Sequence, residues 1–216
     1  MSNPQNLTKM RLQFGELNIT PRVEERHQEL DYTVQELQEA IADHKSPCDG
    51  EPSVYVGTYG KYNEGSLCGL WIDLSSFNDY DEFINFCRAI HADEEDPEIM
   101  CQDGENIPDS LCHESMGEKE FNNLLKYCDL CDEYNVSAVD DFLEFYSPDD
   151  LDRMNDAYVG VYDSEEDFAR EIVNDCYDLE KMMGNLSYYF DYDALARDLF
   201  MCDYHFGSHG TVLRAF

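Results

Sequence analysis

Carboxylates dominate the chemistry available to this chain. Its 216 residues include 48 Asp and Glu against 14 Lys and Arg, a net charge of -34. Two carboxylates flanking a bond can act as general acid and base, as in glycoside hydrolysis. With so many acids, however, close pairs arise by chance, and no spacing singles one out. Nucleophile elbow, P-loop and dinucleotide-binding glycine fingerprints are all missing from the sequence. The segment "DEEDPEIMCQDG" (93–104) suggests a calcium loop, but it lacks glycine at the sixth position and carries Pro97 beside it. Cys128 and Cys131 have the spacing of half a zinc site, but no second pair matches them. On a helix they would share a face as core thiols. Cys202, His205 and His209 form a looser trio that a hairpin could gather. The sequence therefore predicts no catalytic residue, no metal and no cofactor.

The charge excludes more than it specifies. Direct nucleic-acid binding requires Lys and Arg against phosphates, and an anionic membrane surface would repel this chain. The partners it suits are basic. Leu, Ile, Val and Phe total 49 residues, and 15 Tyr and 12 Phe supply large buried area, so a folded protein is expected despite the charge. Nine cysteines, an odd number, no apolar leader and no long apolar run point to free thiols in a reducing, cytoplasmic setting.

The elements that would carry these acids follow from periodicity. Residues 1–52 are mixed in charge and poor in aromatics, and they end in the breaker-rich "SPCDGEP". They are expected to form an accessory, mobile extension with one helix at 31–44. Residues 53–116 predict an α+β module. In it "SVYVGTY" (53–59) and "LCGLWIDL" (67–74) are strands flanking a turn, 78–91 is an amphipathic helix, and a third strand lies around "PEIMCQD". Residues 117–156 predict a helical module whose last helix is capped by Ser147 with Pro148 at its first position. Residues 157–216 predict a second α+β module. "AYVGVY" (157–162) weakly echoes "VYVGTY" (54–59). A helix starts at a Ser164 cap and buries Phe168, Ile172, Val173, Cys176 and Leu179. Another starts at Asp191 and buries Leu195 and Leu199, and a hairpin closes around Gly207–Gly210. Tyr188, Tyr189, Tyr192 and Tyr204 either pack their rings and leave the hydroxyl wet, or stand exposed as contact residues between acids.

The acids are spread evenly over the three modules, with a net charge of -29 over residues 53–216. They form a coat rather than a patch. Two copies would carry the charge of roughly 100 Å of duplex DNA, a length that compact bodies fall short of and small modules in a row approach. Carboxylates held on folded modules can stand where phosphates would stand.

"YVGTYGKYNEGSLCGLWIDL" (55–74), "YYFDYDALARDLF" (188–200) and the following "DYHFG" resemble the ArdA antirestriction proteins over about residues 53–216, and "NDCYDLEKMMG" (174–184) resembles their acidic antirestriction motif. The resemblance implies an elongated string of three small modules (strand–helix, helical, helix–hairpin), dimerising into a mimic of bent B-DNA. It also implies carriage on plasmids and transposons. The implied partner is a type I restriction–modification enzyme, whose DNA-binding groove is occupied so that cleavage and modification are both blocked. The acids expected to take phosphate positions are Asp81, Glu82, Asp93, Glu94, Glu95, Glu165, Glu166, Glu171, Asp175, Asp178 and Asp198. An acidic inhibitor or chaperone of another basic DNA-binding protein is the alternative.

Overall fold

The computed structural model describes residues 8–47, 50 and 52–216. The chain is mixed α and β and divides into two compact units, Met1–Cys128 and Asp129–Phe216.

The first unit opens with an antiparallel hairpin, β1 (Thr8–Arg11) and β2 (Glu16–Ile19), in which Met10 faces Leu17 across the pair. Met10, Leu12, Leu17 and Ile19 are buried. Helix α1 (Pro21–Glu29) starts at a Thr20 cap with proline in its first turn, where the missing N–H costs nothing. Helix α2 (Val34–His44) starts at a reciprocal capping box between Thr33 and Glu36. Sequence periodicity had shown only this second helix; the hairpin and α1 have too few periodic residues to signal themselves.

Strand β3 (Ser53–Thr58) is followed by the short α3 (Tyr59–Asn63), where a turn was expected. Then come β4 (Leu70–Asp73), α4 (Tyr80–Ala89) and β5 (Ile99–Glu105). The sheet order is β4-β3-β5, all antiparallel. Every residue of the central strand is buried, consistent with its unbroken run of small and apolar residues. Helix α4 buries Phe83, Phe86 and Cys87 and shows Asp81 and Arg88 to solvent. Phe121 of α5 (Glu118–Tyr134) stacks on Phe83 with ring centres 4.7 Å apart.

The N-terminal residues join this core. Phe14 and Gly69 exchange backbone hydrogen bonds of 3.4 and 3.0 Å, and Ser46 N donates to Trp71 O at 3.0 Å. These contacts cover the outer edge of β4, which would otherwise leave its backbone groups unpaired. Gly69 is required there, because a Cβ would lie 2.3 Å from Val56 O. The imidazole of His44 stacks on Phe77 at 4.0 Å, and buried His27 sits 3.1 Å from Ala89 O.

The second unit continues with α6 (Val136–Phe145), capped by Asn135, and a 3-10 turn at Pro148–Arg153 with the expected Ser147 cap. Next are α7 (Met154–Ala157), β6 (Tyr158–Val161), α8 (Glu165–Cys176) and α9 (Leu179–Met183). A 3-10 segment at Gly184–Tyr189 precedes α10 (Tyr192–Cys202), β7 (Tyr204–Phe206) and β8 (Thr211–Arg214). The expected closing hairpin forms, and the sheet order is β6-β8-β7. The two echoed segments are both strands, β3 and β6, but one is central in its sheet and the other lies at an edge. Phe168 is the centre of an aromatic cluster with Tyr162, Phe200 and Tyr204. Two residues expected on the buried stripe of α8 do not lie on it: Cys176 is exposed in the last turn, beyond Val173, and Leu179, half-buried, opens α9 because α8 stops at Cys176.

Asp141 is the one buried carboxylate among the described residues. It accepts from His209 N at 2.9 Å, His209 Nδ1 at 2.8 Å and Thr211 N at 3.0 Å, and so ties α6 to the turn between β7 and β8. Gly207 makes room for it, since a Cβ there would lie 2.2 Å from the Asp141 carboxyl carbon. Burial alone would raise the Asp141 pKa, but the hydrogen bonds from Thr211 and His209 outweigh it and hold the carboxyl below its usual range. A depressed carboxyl contributes stability that is present above about pH 3.9 and is lost as pH falls through the lower folded value. Asp141→Ala leaves those donors without a partner and should lower the stability of the second unit by about 2–4 kcal/mol at pH 7, measured by urea denaturation followed by circular dichroism. The His209 ring, which the same carboxylate holds above the ordinary histidine value, should return toward it in an NMR titration of that variant.

Candidate functional site

The eleven candidate acids fall into two groups. Asp81, in the first turn of α4, is exposed. Glu165, opening α8, and Asp175, near its end, are also exposed, as is Asp198 on α10. Helix backbones hold all four in place, and none makes a side-chain hydrogen bond or ion pair among the described residues. Asp81 and Glu165 lie where the positive end of the helix dipole favours them.

The other seven are engaged locally. Glu82 is half-buried and accepts from Asn78 N at 2.9 Å and Asn78 Nδ2 at 3.0 Å, closing the start of α4. Asp93 and Glu94 lie 2.8 and 3.7 Å from the Lys61 ammonium, and Glu94 also accepts from Thr58 Oγ1 at 2.6 Å. Lys61 is nearly enclosed and donates to His91 Nδ1 at 2.9 Å. That bond requires a neutral imidazole. Burial, reinforced by Lys61, pushes the His91 pKa down to about 3. Glu95 pairs with Arg22 Nη2 at 3.3 Å, while its carbonyl accepts from Arg26 Nη1. The acidic run at 93–95 is thus tied to α1 and α3, and its charge is partly offset by bases that the sequence places far away.

In the second unit Glu166 pairs with Arg170 one turn on, and Glu171 accepts from Tyr162 OH at 2.8 Å. Burial and then Glu171 push that phenol up to about 12. Asp178 caps α9 by accepting from Lys181 N at 3.0 Å. Exposed pairs of this kind are worth little as stability, and they bias where the carboxylates point rather than locking them. The segment 174–184 spans the end of α8, the Asp178 cap and α9, with Asp175, Asp178 and Glu180 exposed.

The metal alternatives are used elsewhere. Cys202 is exposed at the end of α10, the His205 ring stacks on Phe145 at 4.5 Å, and His209 is bound to Asp141, so this trio does not converge. Asp141, Glu144 and His209 do cluster. Both Asp141 oxygens already accept hydrogen bonds, and Glu144 accepts from Ser208 N at 3.2 Å. The cluster closes a turn. Buried Cys87 and Cys101 are pushed up by desolvation, Cys101 to about 12, so they remain thiols. None of the described helices is long and apolar enough to cross a membrane.

Two apolar features lie outside the candidate list. Tyr188 and Tyr189 are 81% and 83% exposed, so neither packs its ring, whereas Tyr192 and Tyr204 are half-buried. Beside them Met182, Met183 and Leu186 are also exposed. In the first unit Phe14, Tyr55, Tyr62, Leu67 and Trp71 line an open hollow. The register of β3 on β4 sets Tyr55 opposite Trp71, and nothing local could have indicated Phe14.

No curated protein and no solved structure matches this chain. A family profile described as antirestriction protein (ArdA) matches residues 54–213, from β3 to β8. That match covers most of the chain and leaves out only the N-terminal residues and the last three, and it places the protein in the ArdA antirestriction family.

Proposed function

We propose that this protein inhibits type I restriction–modification enzymes by occupying their DNA-binding groove, so that cleavage and modification fail together. Family membership supports the antirestriction role. The observation that carries the mechanism is the set of exposed carboxylates, with Asp81, Glu165, Asp175 and Asp198 projecting from helices and the rest held by caps and pairs. A groove lined with Lys and Arg would release counterions on taking up such a surface, as it does with phosphates. The mimic offers no base edges to read, so enzymes of different sequence preference would be equally open to it. No turnover is needed, and the site of action is the cytoplasm. In this reading the strand–helix, helical and helix–hairpin modules form an elongated array that imitates bent B-DNA.

A homodimer completes the array. Two chains of this charge repel each other except where charge is absent. Residues 179–190 carry only Glu180 and Lys181, and they expose Met182, Met183, Leu186, Tyr188 and Tyr189. Those side chains form a neutral, apolar patch on an otherwise acidic chain, the kind of surface that the core of a stable interface uses. A neutral apolar surface suits another like it better than it suits a basic groove.

In a type I enzyme assay, inhibition should weaken with rising salt in parallel with DNA binding; full inhibition at salt where DNA no longer binds would overturn the phosphate-like contact and favour another inhibitory mode. Single changes Asp81→Asn, Glu165→Gln, Asp175→Asn and Asp198→Asn should each alter inhibition by less than about 3-fold, and the four together by roughly 10- to 100-fold. Tyr188→Glu with Tyr189→Glu should shift the protein from dimer to monomer in sedimentation at micromolar concentration.

A further inference from the structure

The hollow in the first unit has a chemistry of its own. Tyr55 in β3 stands opposite Trp71 in β4 on one side and Asp103 in β5 on the other, so the three form a row across the sheet. The Tyr55 and Trp71 rings lie 5.5 Å apart. Phe14 meets Tyr55 edge-on at 5.7 Å, and Tyr62, Leu67 and Gln102, with Asp103, complete a hollow of about 340 Å³. Tyr55 forms the floor, nearly buried, with its hydroxyl donating to Leu67 O, while Phe14 and Tyr62 are about half exposed. Asp103 is exposed and makes no ion pair among the described residues; one of its oxygens accepts from Gly104 N at 2.9 Å.

Four aromatic rings around a space with a carboxylate at its rim is the arrangement that holds an organic cation. Ring faces attract the charge, and the carboxylate fixes its direction. An apolar guest would gain the rings but make no use of the Asp103 carboxylate at the rim. An anion or a nucleobase on its phosphate backbone would meet a chain of net charge -34. The protein uses the same contact internally, with Arg153 over the Phe216 ring at 3.1 Å and Arg170 over the Tyr192 ring at 4.1 Å. Among cationic side chains the planar guanidinium stacks on an aromatic face and pairs with a carboxylate at once, whereas an ammonium does so less well.

We propose that this aromatic hollow is a binding site for an arginine side chain projecting from the basic surface of the protein's partner. The identity of that partner rests on the function proposed above; the site itself does not. Duplex DNA has no such hollow, so this contact is one that phosphate imitation does not supply. Phe14 comes from outside the matched family span, and the N-terminal hairpin therefore adds a wall to a sheet that the family match covers. The extension would thereby tune which partner is held.

Trp71 is the only tryptophan, so its fluorescence reports the hollow directly. The full chain would be titrated with N-acetyl-arginine amide, with its uncharged analogue N-acetyl-citrulline amide and with N-acetyl-leucine amide, all at constant ionic strength. The expected result is a saturable change with the arginine probe, roughly 5-fold tighter than with either other probe. Tyr62→Ala and Asp103→Asn lie at exposed positions; each should weaken that binding by roughly 2- to 5-fold, with thermal unfolding unchanged. Equal binding of arginine and citrulline, tighter binding of leucine, or no saturation would overturn the proposal. Saturable arginine binding by a protein that fails to inhibit any type I enzyme would remove the proposed function and leave the site standing. Inhibition without arginine binding would do the reverse.

Discussion

Two carboxylates 5 Å apart in water repel by only about 1 kcal/mol, and salt reduces that further. Repeated over 48 acids with 14 bases to offset them, this small term becomes the constraint on the whole molecule. Every packed feature must hold against it. The aromatic clusters around Phe83 and Phe168 supply dense apolar contact in each unit without using charge. Acids are also put to work. Asp79, Asp178 and Asp191 cap helices, and Asp141 closes a hairpin, so part of the repelling charge becomes hydrogen-bonding structure.

The same economy divides the surface into two kinds of acid. Where a carboxylate is paired with Lys61, Arg22 or Arg170, its field is reduced, while Tyr162 orients Glu171 without offsetting its charge. Where it projects alone from a helix, its field reaches solvent in full. A coat built from both kinds is stiffer than a tail and less uniform than its composition suggests. The bases serve here as internal fasteners for acidic loops.

Most of the helices and strands could be read from periodicity. The Ser164 and Ser147 caps, the β3 and β4 pair and the closing hairpin all appear where alternation, cap residues and glycines place them. The N-terminal hairpin could not be read, because four-residue strands carry almost no periodic signal and Phe14 finds its partner Gly69 far along the chain. Of the candidate acids, exposure was legible from helix phase, as at Asp81 and Asp198. Pairing was not, since Lys61 meets Asp93 and Arg22 meets Glu95 only through the fold. Cys176 and the tyrosines at 188–189 depended on where a helix ends and what lies beyond it, and sequence patterns fix such ends least well.

The covered margin of β4 has one more consequence. A short, strongly apolar sheet with an open side is a template for stacking copy upon copy into fibrils. With Phe14 and Ser46 bonded along that side, the folded chain does not present the β4 margin to another copy.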